Sequence, residues 1–385
     1  MIEFGVRLMR LRLVVVLAAA AGLVWTGPAA AQRKQKPSKE EITQTLELLP
    51  DPPSAVKADT ARLAFHVAPL SARGLLSQQV RDGIKVLWKS NRGGQIVRLR
   101  AWVAGTGDMR RVASIVSEMF TDKHQPLPVV NVIQVGLLPL DGAQVMLEAT
   151  SVMKKAGNPH GLAFLSGQAG SAPIDPANPS MKVAHLAEKA AEDLKTALTG
   201  VALEPKDVLR VSCLATSLED YASARQAVAR EFPQAALAFV QAVRSPSSHV
   251  VECEAVARLK SPAGAPGKFV QPPGLRASPN FTHVVLVSAP RVVLTSTQLA
   301  FRGQDSDVRL AFTRLQGILE SAGSSTRQVV FSSVYPLTEA IMAKVRALRF
   351  EFYDASKPPA STMLLFEGLP SLDASFGVDV VAVPE

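Results

Sequence analysis

The stretch from Gly161 to Leu259 decides the fold. It begins GLAFLSGQ (161–168), continues through DVLRVSCLATSLEDYASARQAVAREF (207–232) and closes with HVVECEAVARL (249–259). Apolar residues alternate in the strand-like segments and recur at helical spacing between them. The predicted order over this stretch is strand, helix, strand, helix, strand, strand.

Two other parts of the chain repeat that order. The equivalent central strands are predicted to begin with QIVR (95–98), DVLR (207–210) and RQVV (327–330). Recurrence of one unit predicts an α+β protein of three repeats, at residues 61–154, 159–260 and 281–385. A Pro- and Gly-rich linker is expected at 261–280, and a polar tether at 32–60.

The N-terminus has the pattern of a secretory signal peptide. Arg7, Arg10 and Arg12 precede the apolar run Leu13 to Val24, and three alanines end at Ala31. An uncleaved anchor is the alternative, but the run of about 12 residues is shorter than the ~20 that a spanning helix needs. We therefore expect residues 1–31 to be removed before Gln32, which predicts a periplasmic or secreted protein with no membrane span after cleavage.

Composition and charge exclude several classes of function. The chain is 47% hydrophobic and has a formal charge of +9, which falls to +7 when the three Arg and one Glu of residues 1–31 are removed. Its basic residues are scattered rather than gathered on one face, which argues against nucleic acid as a partner. The six histidines have no metal-ligand spacing, and phosphate-loop and nucleophile-elbow motifs are absent. No metal and no cofactor is expected.

The two cysteines lie on different predicted strands. Strand alternation predicts that Leu209, Val211 and Cys213 share one face of the earlier strand. It also predicts that Val251, Cys253 and Ala255 share one face of the later strand. If the strands are neighbours, a cross-strand disulfide is compatible with an exported chain. Two buried free thiols are the alternative, because cross-strand geometry often fails the Cα distance limits.

The central repeat resembles the RidA (YjgF) family of reactive-intermediate deaminases. The residues that carry the resemblance are Phe164–Gln168, Asp207–Leu218, Glu231-Phe232-Pro233, the loop around Pro246, and Val251–Ala255. The other two repeats match more loosely, mainly in the closing strand pairs around Leu147-Glu148-Ala149 and Val378-Asp379-Val380.

The resemblance implies a fold like that of the small homotrimeric chorismate mutases. Each unit would be a mixed sheet backed by two helices, and each interface between units would hold a ligand cleft. Because this chain resembles three such units, we expect a monomer that forms the trimer internally, as a pseudotrimer.

The resemblance also implies a site. The family hydrolyses enamine and imine intermediates to 2-ketoacids and holds the substrate carboxylate with an arginine nine residues before a loop proline. Here those positions hold Val130, Leu237 and Ser361, so the anchoring arginine is missing. The family's water-orienting carboxylate corresponds to Glu252.

Three further candidate substrate-binding residues belong to the same predicted site. Ser166 and Gly167 match a Ser-Gly pair that lines the family's cleft, and Phe239 replaces a small or thiol residue there.

Two hypotheses about function follow. In the first, which the missing arginine favours, the protein binds a small ligand or a partner without turnover. In the second, one cleft retains enamine/imine deaminase activity, a hydrolysis of a C–N bond. That chemistry would use Glu252 with an arginine from elsewhere, Arg210 or Arg225.

Overall fold

The computed structural model describes residues 48–105, 107–175 and 182–385. The predicted signal peptide and residues 32–47 of the predicted tether lie outside the described residues. Within these ranges, no helix combines the length and apolar character that a membrane crossing requires.

Helices and strands alternate along the described chain. The helices are α1 (Leu76–Ser90), α2 (Arg110–Asp122), α3 (Ala184–Thr199), α4 (Tyr221–Glu231), α5 (Asp305–Ser321) and α6 (Glu339–Leu348). The first eight strands are β1 (Ala55–Asp59), β2 (Leu63–Val67), β3 (Gln95–Ala104), β4 (Val129–Val135), β5 (Val145–Val152), β6 (Leu162–Pro173), β7 (Val208–Ala215) and β8 (Ala236–Gln241). The others are β9 (Ser248–Arg258), β10 (Gly267–Val270), β11 (Val284–Val287), β12 (Arg291–Thr295), β13 (Gln298–Phe301), β14 (Val329–Pro336), β15 (Ala360–Met363) and β16 (Ala374–Ala382).

The strands form three mixed sheets with a common core. The first sheet has the order β2-β5-β3-β4, the second β10-β11-β6-β9-β7-β8, and the third β1-β12-β16-β14-β15, with β13 also on β16. In each sheet the closing strand lies antiparallel between the opening and central strands, and the edge strand runs parallel to the central strand. The predicted α+β class with mixed sheets is confirmed.

All three central strands carry a β-bulge at the same place. The ladder to the closing strand shifts between Ile96 and Arg98, between Val208 and Arg210, and between Val329 and Phe331. The strand position of Arg98 and Arg210 is therefore taken by Phe331 in the third sheet, one residue later than the sequence alignment predicted. A bulge adds one residue to one strand and so reverses the side-chain alternation beyond it.

The bulge corrects one sequence prediction about the second sheet. Val211 and Cys213 face the helices, whereas Leu209 packs against the core on the opposite face. The prediction that all three share one face was wrong for Leu209, because simple alternation does not hold across the bulged position.

Strands also extend the sheets beyond their predicted limits. β1, in the predicted tether, pairs with β12 of the third sheet. β10, in the predicted linker, pairs with β11, and β11 pairs with β6 of the second sheet, although its sequence was expected to open the third repeat. These strands tie neighbouring sheets together through backbone hydrogen bonds.

Each sheet buries one face under two helices and the other face against the other sheets. The helix-side cores contain, for example, Ile84, Leu194 and Phe312. The shared core contains Trp102, Leu214 and Tyr335, which occupy the same position on the three central strands. Burial of a large apolar side chain contributes about 1.5–3 kcal/mol to the free energy of unfolding, so these contacts hold the three sheets together.

Candidate functional site

A buried cluster of charges lies where the three sheets meet. Three arginines face three acids, and none of the six is more than 7% exposed: Arg98, Arg100, Arg210, Glu148, Glu254 and Asp379. The acids stand at one register position of the three closing strands, opposite Arg100, Ser212 and Ser333. Equal numbers of each sign let the cluster stay buried, because an unpaired buried charge is far more costly.

Arg210 belongs to this buried charge cluster and not to the lining of a ligand cleft. Its Nη2 atom lies 2.6 Å from Glu254 Oε1, and Arg100 Nη1 lies 3.4 Å from the same oxygen. Burial alone would raise the pKa of Glu254, but Arg210 and Arg100 outweigh it and hold that pKa below its ordinary value. The sequence proposed Arg210 as a substrate-binding residue; the structure places its guanidinium against protein carboxylates.

The edge strands define three equivalent inter-sheet positions. Val130, Leu237 and Ser361 stand at one register position of β4, β8 and β15. β8 lies against β2 of the first sheet, and β15 lies against β6 of the second. We call the spaces beside these contacts the first–second cleft and the second–third cleft. The third position lies on β4, where the strand and the third sheet are in direct contact: the side-chain amide of Asn131 donates a hydrogen bond to Thr297 Oγ1 at 2.9 Å.

The second–third cleft contains Glu252. A cavity of about 290 Å³ lies between β9 and the loop before it on one side and α6 and β15 on the other. Its lining is mixed: Pro246, Met342 and Met363 contribute apolar surface, and Arg346 and Glu339 reach it from α6.

The surroundings of the Glu252 carboxyl favour its protonated form. Burial, and then the nearby charge of Glu254, raise its pKa to about 8. The backbone N–H of Met363 and the charge of Arg346 oppose this rise without cancelling it. A neutral carboxyl can donate a hydrogen bond as well as accept one, so Glu252 can serve as a donor to a ligand or as a general acid.

Gly167 lies against the Glu252 carboxyl, whereas Ser166 bonds to Thr282 and Ser361. A Cβ atom at residue 167 would come within 1.9 Å of Glu252 Oε1, so only glycine leaves room for the carboxyl. Ser166 has a different role. Its Oγ donates to the carbonyl of Thr282 at 2.6 Å and accepts from the backbone N–H of Ser361 at 2.8 Å. The Ser361 side-chain oxygen is itself buried and has no hydrogen-bond partner, so this position offers no charged group to a ligand.

Phe239 lies away from the cleft. It is 1% exposed in the helix-side core of the second sheet, and its ring centroid is 5.4 Å from that of Tyr221.

The same core contains the disulfide between Cys213 and Cys253, whose Cα atoms are 4.1 Å apart on neighbouring strands. Of the two alternatives for the cysteines, the structure has the cross-strand bridge.

Sequence reasoning missed Arg346 as a residue of the second–third cleft. Arg346 is exposed on α6, which belongs to the third sheet's layer, and it meets Glu252 only because two sheets pack together. No local spacing relates the two residues. Arg225, the other arginine considered, lines the first–second cleft instead.

The first–second cleft is larger, at about 800 Å³. Met146 stands at the register position of Glu252, and Leu237 stands at the anchoring position. Neither can bind a carboxylate or orient water. In the described part of the chain, no group of three or more His, Cys, Asp and Glu could hold a metal ion.

Comparisons with known proteins find similarity at the level of solved structures only. No known family profile and no curated protein sequence matches the chain. A Rid-family protein of unknown function from Yersinia pestis aligns with 18% identity over 31% of this chain and 99% of its own, with a TM-score of 0.29. A YjgF-family member from Neisseria meningitidis aligns with 13% identity over 31% of this chain and 95% of its own, with a TM-score of 0.23. A putative endoribonuclease from Thermotoga maritima is 28% identical over 28% of this chain and 84% of its own, with a TM-score of 0.22.

Proposed function

We propose that the protein is an exported pseudotrimer of three RidA-like units, residues 61–154, 159–260 and 281–385, behind a cleaved signal peptide. The common strand order and the common bulge support the three units. The disulfide supports an oxidising compartment, periplasmic or extracellular. Light scattering on the signal-free protein should give the mass of one chain; a mass of three chains would refute the internal trimer.

We further propose that the second–third cleft binds a small ligand without deaminating it. The observation that carries this proposal is the residue at the anchoring position of β15, Ser361, which is buried and whose short neutral side chain cannot grip a carboxylate through charged hydrogen bonds. Two lost hydrogen bonds to a charged group are worth roughly 3–6 kcal/mol, or about 10²–10⁴ in affinity for a carboxylate substrate. That loss removes the interaction on which the family's chemistry depends.

The cavity suggests the kind of ligand. A volume of about 290 Å³ is at the lower end for small-molecule sites, and the lining is about half polar. Protonated Glu252 offers one hydrogen-bond donor, and Arg346 and Glu339 offer charged groups at the rim. We infer a small molecule that carries both an apolar part and hydrogen-bonding groups.

A retained deaminase is the second candidate, because Arg346 and Glu252 line the same cavity. In that case Arg346 would hold the substrate carboxylate and the Glu252 carboxyl would protonate the departing amine. Water would add to the imine carbon, the C–N bond would break, and ammonia and a ketoacid would leave.

Ketoacid release from freshly generated 2-aminoacrylate separates the two candidates. Binding without turnover predicts that wild type, Glu252→Ala and Arg346→Gln all match the uncatalysed rate. Arg309→Gln, an exposed substitution on α5 whose side chain pairs with Glu351, is the matched control. A wild-type rate well above background that both cleft variants abolish, and the control retains, would replace the binding proposal with the deaminase.

A further inference from the structure

The first–second cleft has the dimensions and surface of a second ligand site. Its volume of about 800 Å³ lies within the range of small-molecule pockets. β2 of the first sheet forms one wall, and α4 and β8 of the second sheet form the other. Half-buried apolar side chains make a continuous floor that includes Phe65, Leu209 and Leu237.

The charged groups that line this cleft are cationic. Arg225 and Arg258 line it, and no Asp or Glu does; Arg225 is hydrogen-bonded to the Tyr221 side chain. Among the described residues, no carboxylate lies within ion-pair distance of either guanidinium. Arg258 Nε and His66 Nε2 are buried and have no hydrogen-bond partner. Because an unmet buried donor costs about 1–3 kcal/mol, an anion that supplied the missing partner would bind favourably.

The floor is also fixed in place. The Arg210 guanidinium lies 5.6 Å from the centroid of the Phe65 ring, and ion pairs in the buried charge cluster hold Arg210 in place. Burial lowers the pKa of His66, so this side chain adds no charge at neutral pH. The positive charge of the cleft therefore comes from the two arginines, whose planar forks suit carboxylate and phosphate groups.

We propose that the first–second cleft binds a small organic anion, a carboxylate or a phosphate on an apolar or aromatic body. Arg225 and Arg258 hold the anionic group, and the body lies on Phe65 and Leu237. This site shares no lining residue with the second–third cleft, and the residues at its anchoring and water-orienting positions, Leu237 and Met146, contribute only apolar surface.

Calorimetric titration tests the proposal with three probes of one shape. These are 2-naphthoate, 2-naphthyl phosphate and the neutral 2-naphthalenemethanol. We expect at least one anion to bind about tenfold more tightly than the alcohol, or about 1.4 kcal/mol. The ratio between the two anions shows which headgroup the cleft prefers. Equal affinity of the alcohol and both anions, or no binding of any probe, would overturn the proposal.

Variants locate the binding. Arg225→Gln with Arg258→Gln should weaken the preferred anion by at least tenfold, whereas Arg230→Gln on the same helix, which pairs with Glu188 and Glu231, should not. Glu252→Gln should also leave this affinity unchanged. If the double variant does not fold, Arg225→Gln alone, at an exposed position, should weaken the anion by at least threefold. An unchanged affinity in that variant excludes the site.

Discussion

The first–second and second–third clefts occupy the same place relative to their sheets but have opposite chemistry. The second–third cleft is small and of mixed polarity, with two acids, Glu252 and Glu339, in its lining and a single arginine, Arg346. The first–second cleft is wide, has no acid in its lining and carries Arg225 and Arg258. The packing of the sheets thus decides where a cleft forms, and a few side chains decide what it can bind.

One buried cluster supports both clefts. Arg210 stacks on Phe65 of the first–second cleft, and its partner Glu254 lies next to Glu252 on β9 and raises the pKa of that residue. A change in this cluster should therefore affect both clefts, whereas a change in either lining should affect one.

The largest effect is expected from breaking the cluster. Glu254→Gln removes the charge that Arg210 and Arg100 share, which should cost about 3–5 kcal/mol of unfolding free energy because it leaves buried charge unpaired. Urea unfolding measures this loss. The control is Glu204→Gln, whose exposed pairs with Lys206 and Lys260 should matter little. Equal unfolding midpoints for the two variants would contradict the role of the cluster.

The disulfide should contribute the next largest effect. Reduction of the bond between Cys213 and Cys253 should lower the stability of the protein by about 2–4 kcal/mol. Unfolding in the presence and absence of reductant measures the difference, and a Cys213→Ala, Cys253→Ala variant should not respond to reductant. Two titratable thiols in unfolded, unreduced protein would show that the bond is absent.

Glu252→Gln should stabilise the protein, increasingly so as the pH rises. Below the unfolded-state pKa of 4.5 both states hold the proton, and wild type and variant should be alike. Between there and about 8 the unfolded state ionises while the folded state does not, so only wild type loses stability. We expect the difference to grow by about 1.4 kcal/mol per pH unit over this interval and to level off above pH 8. A difference that does not change with pH would show an ordinary carboxylate.

The smallest effect is expected from a substitution at the anchoring position of the first–second cleft. Leu237→Arg restores the family's residue at a half-buried site that opens into the wide cleft. It should fold and should tighten 2-naphthoate binding by about tenfold, since one added charged hydrogen bond is worth roughly 1.5–3 kcal/mol. Calorimetry measures the gain, with Leu237→Met as the uncharged control. An unchanged affinity would place the anion elsewhere.

Much of the fold could be predicted from local sequence patterns. The helical spacing of Val80, Ile84 and Leu87 is typical of the buried face of α1, and the sequence analysis placed the start of β3 at Gln95, where the strand begins. Sheet membership could not be predicted in the same way. β1 and β11 join the sheets of other units, and a short strand gives no local sign of the partner that will bond it.

The site was predictable where it depends on one stretch of chain. Gly167 and Glu252 were identified from the resemblance, and the structure brings them together. Arg346, Arg225 and Arg258 could not be assigned to clefts, because their positions depend on how separate sheets pack. Arg210 was misplaced because its partners, Glu254 and Glu148, lie on two closing strands of different sheets.

The most direct test is the pKa of Glu252, because the proposed role of this residue as a hydrogen-bond donor requires a neutral carboxyl. Carbon-13 labelling of the glutamate carboxyl groups allows an NMR titration, and the signal missing in Glu252→Gln identifies the residue. The account predicts an inflection at about pH 8. An inflection in the ordinary range of glutamate, near 4.3, would mean a charged cleft at neutral pH and would contradict the account.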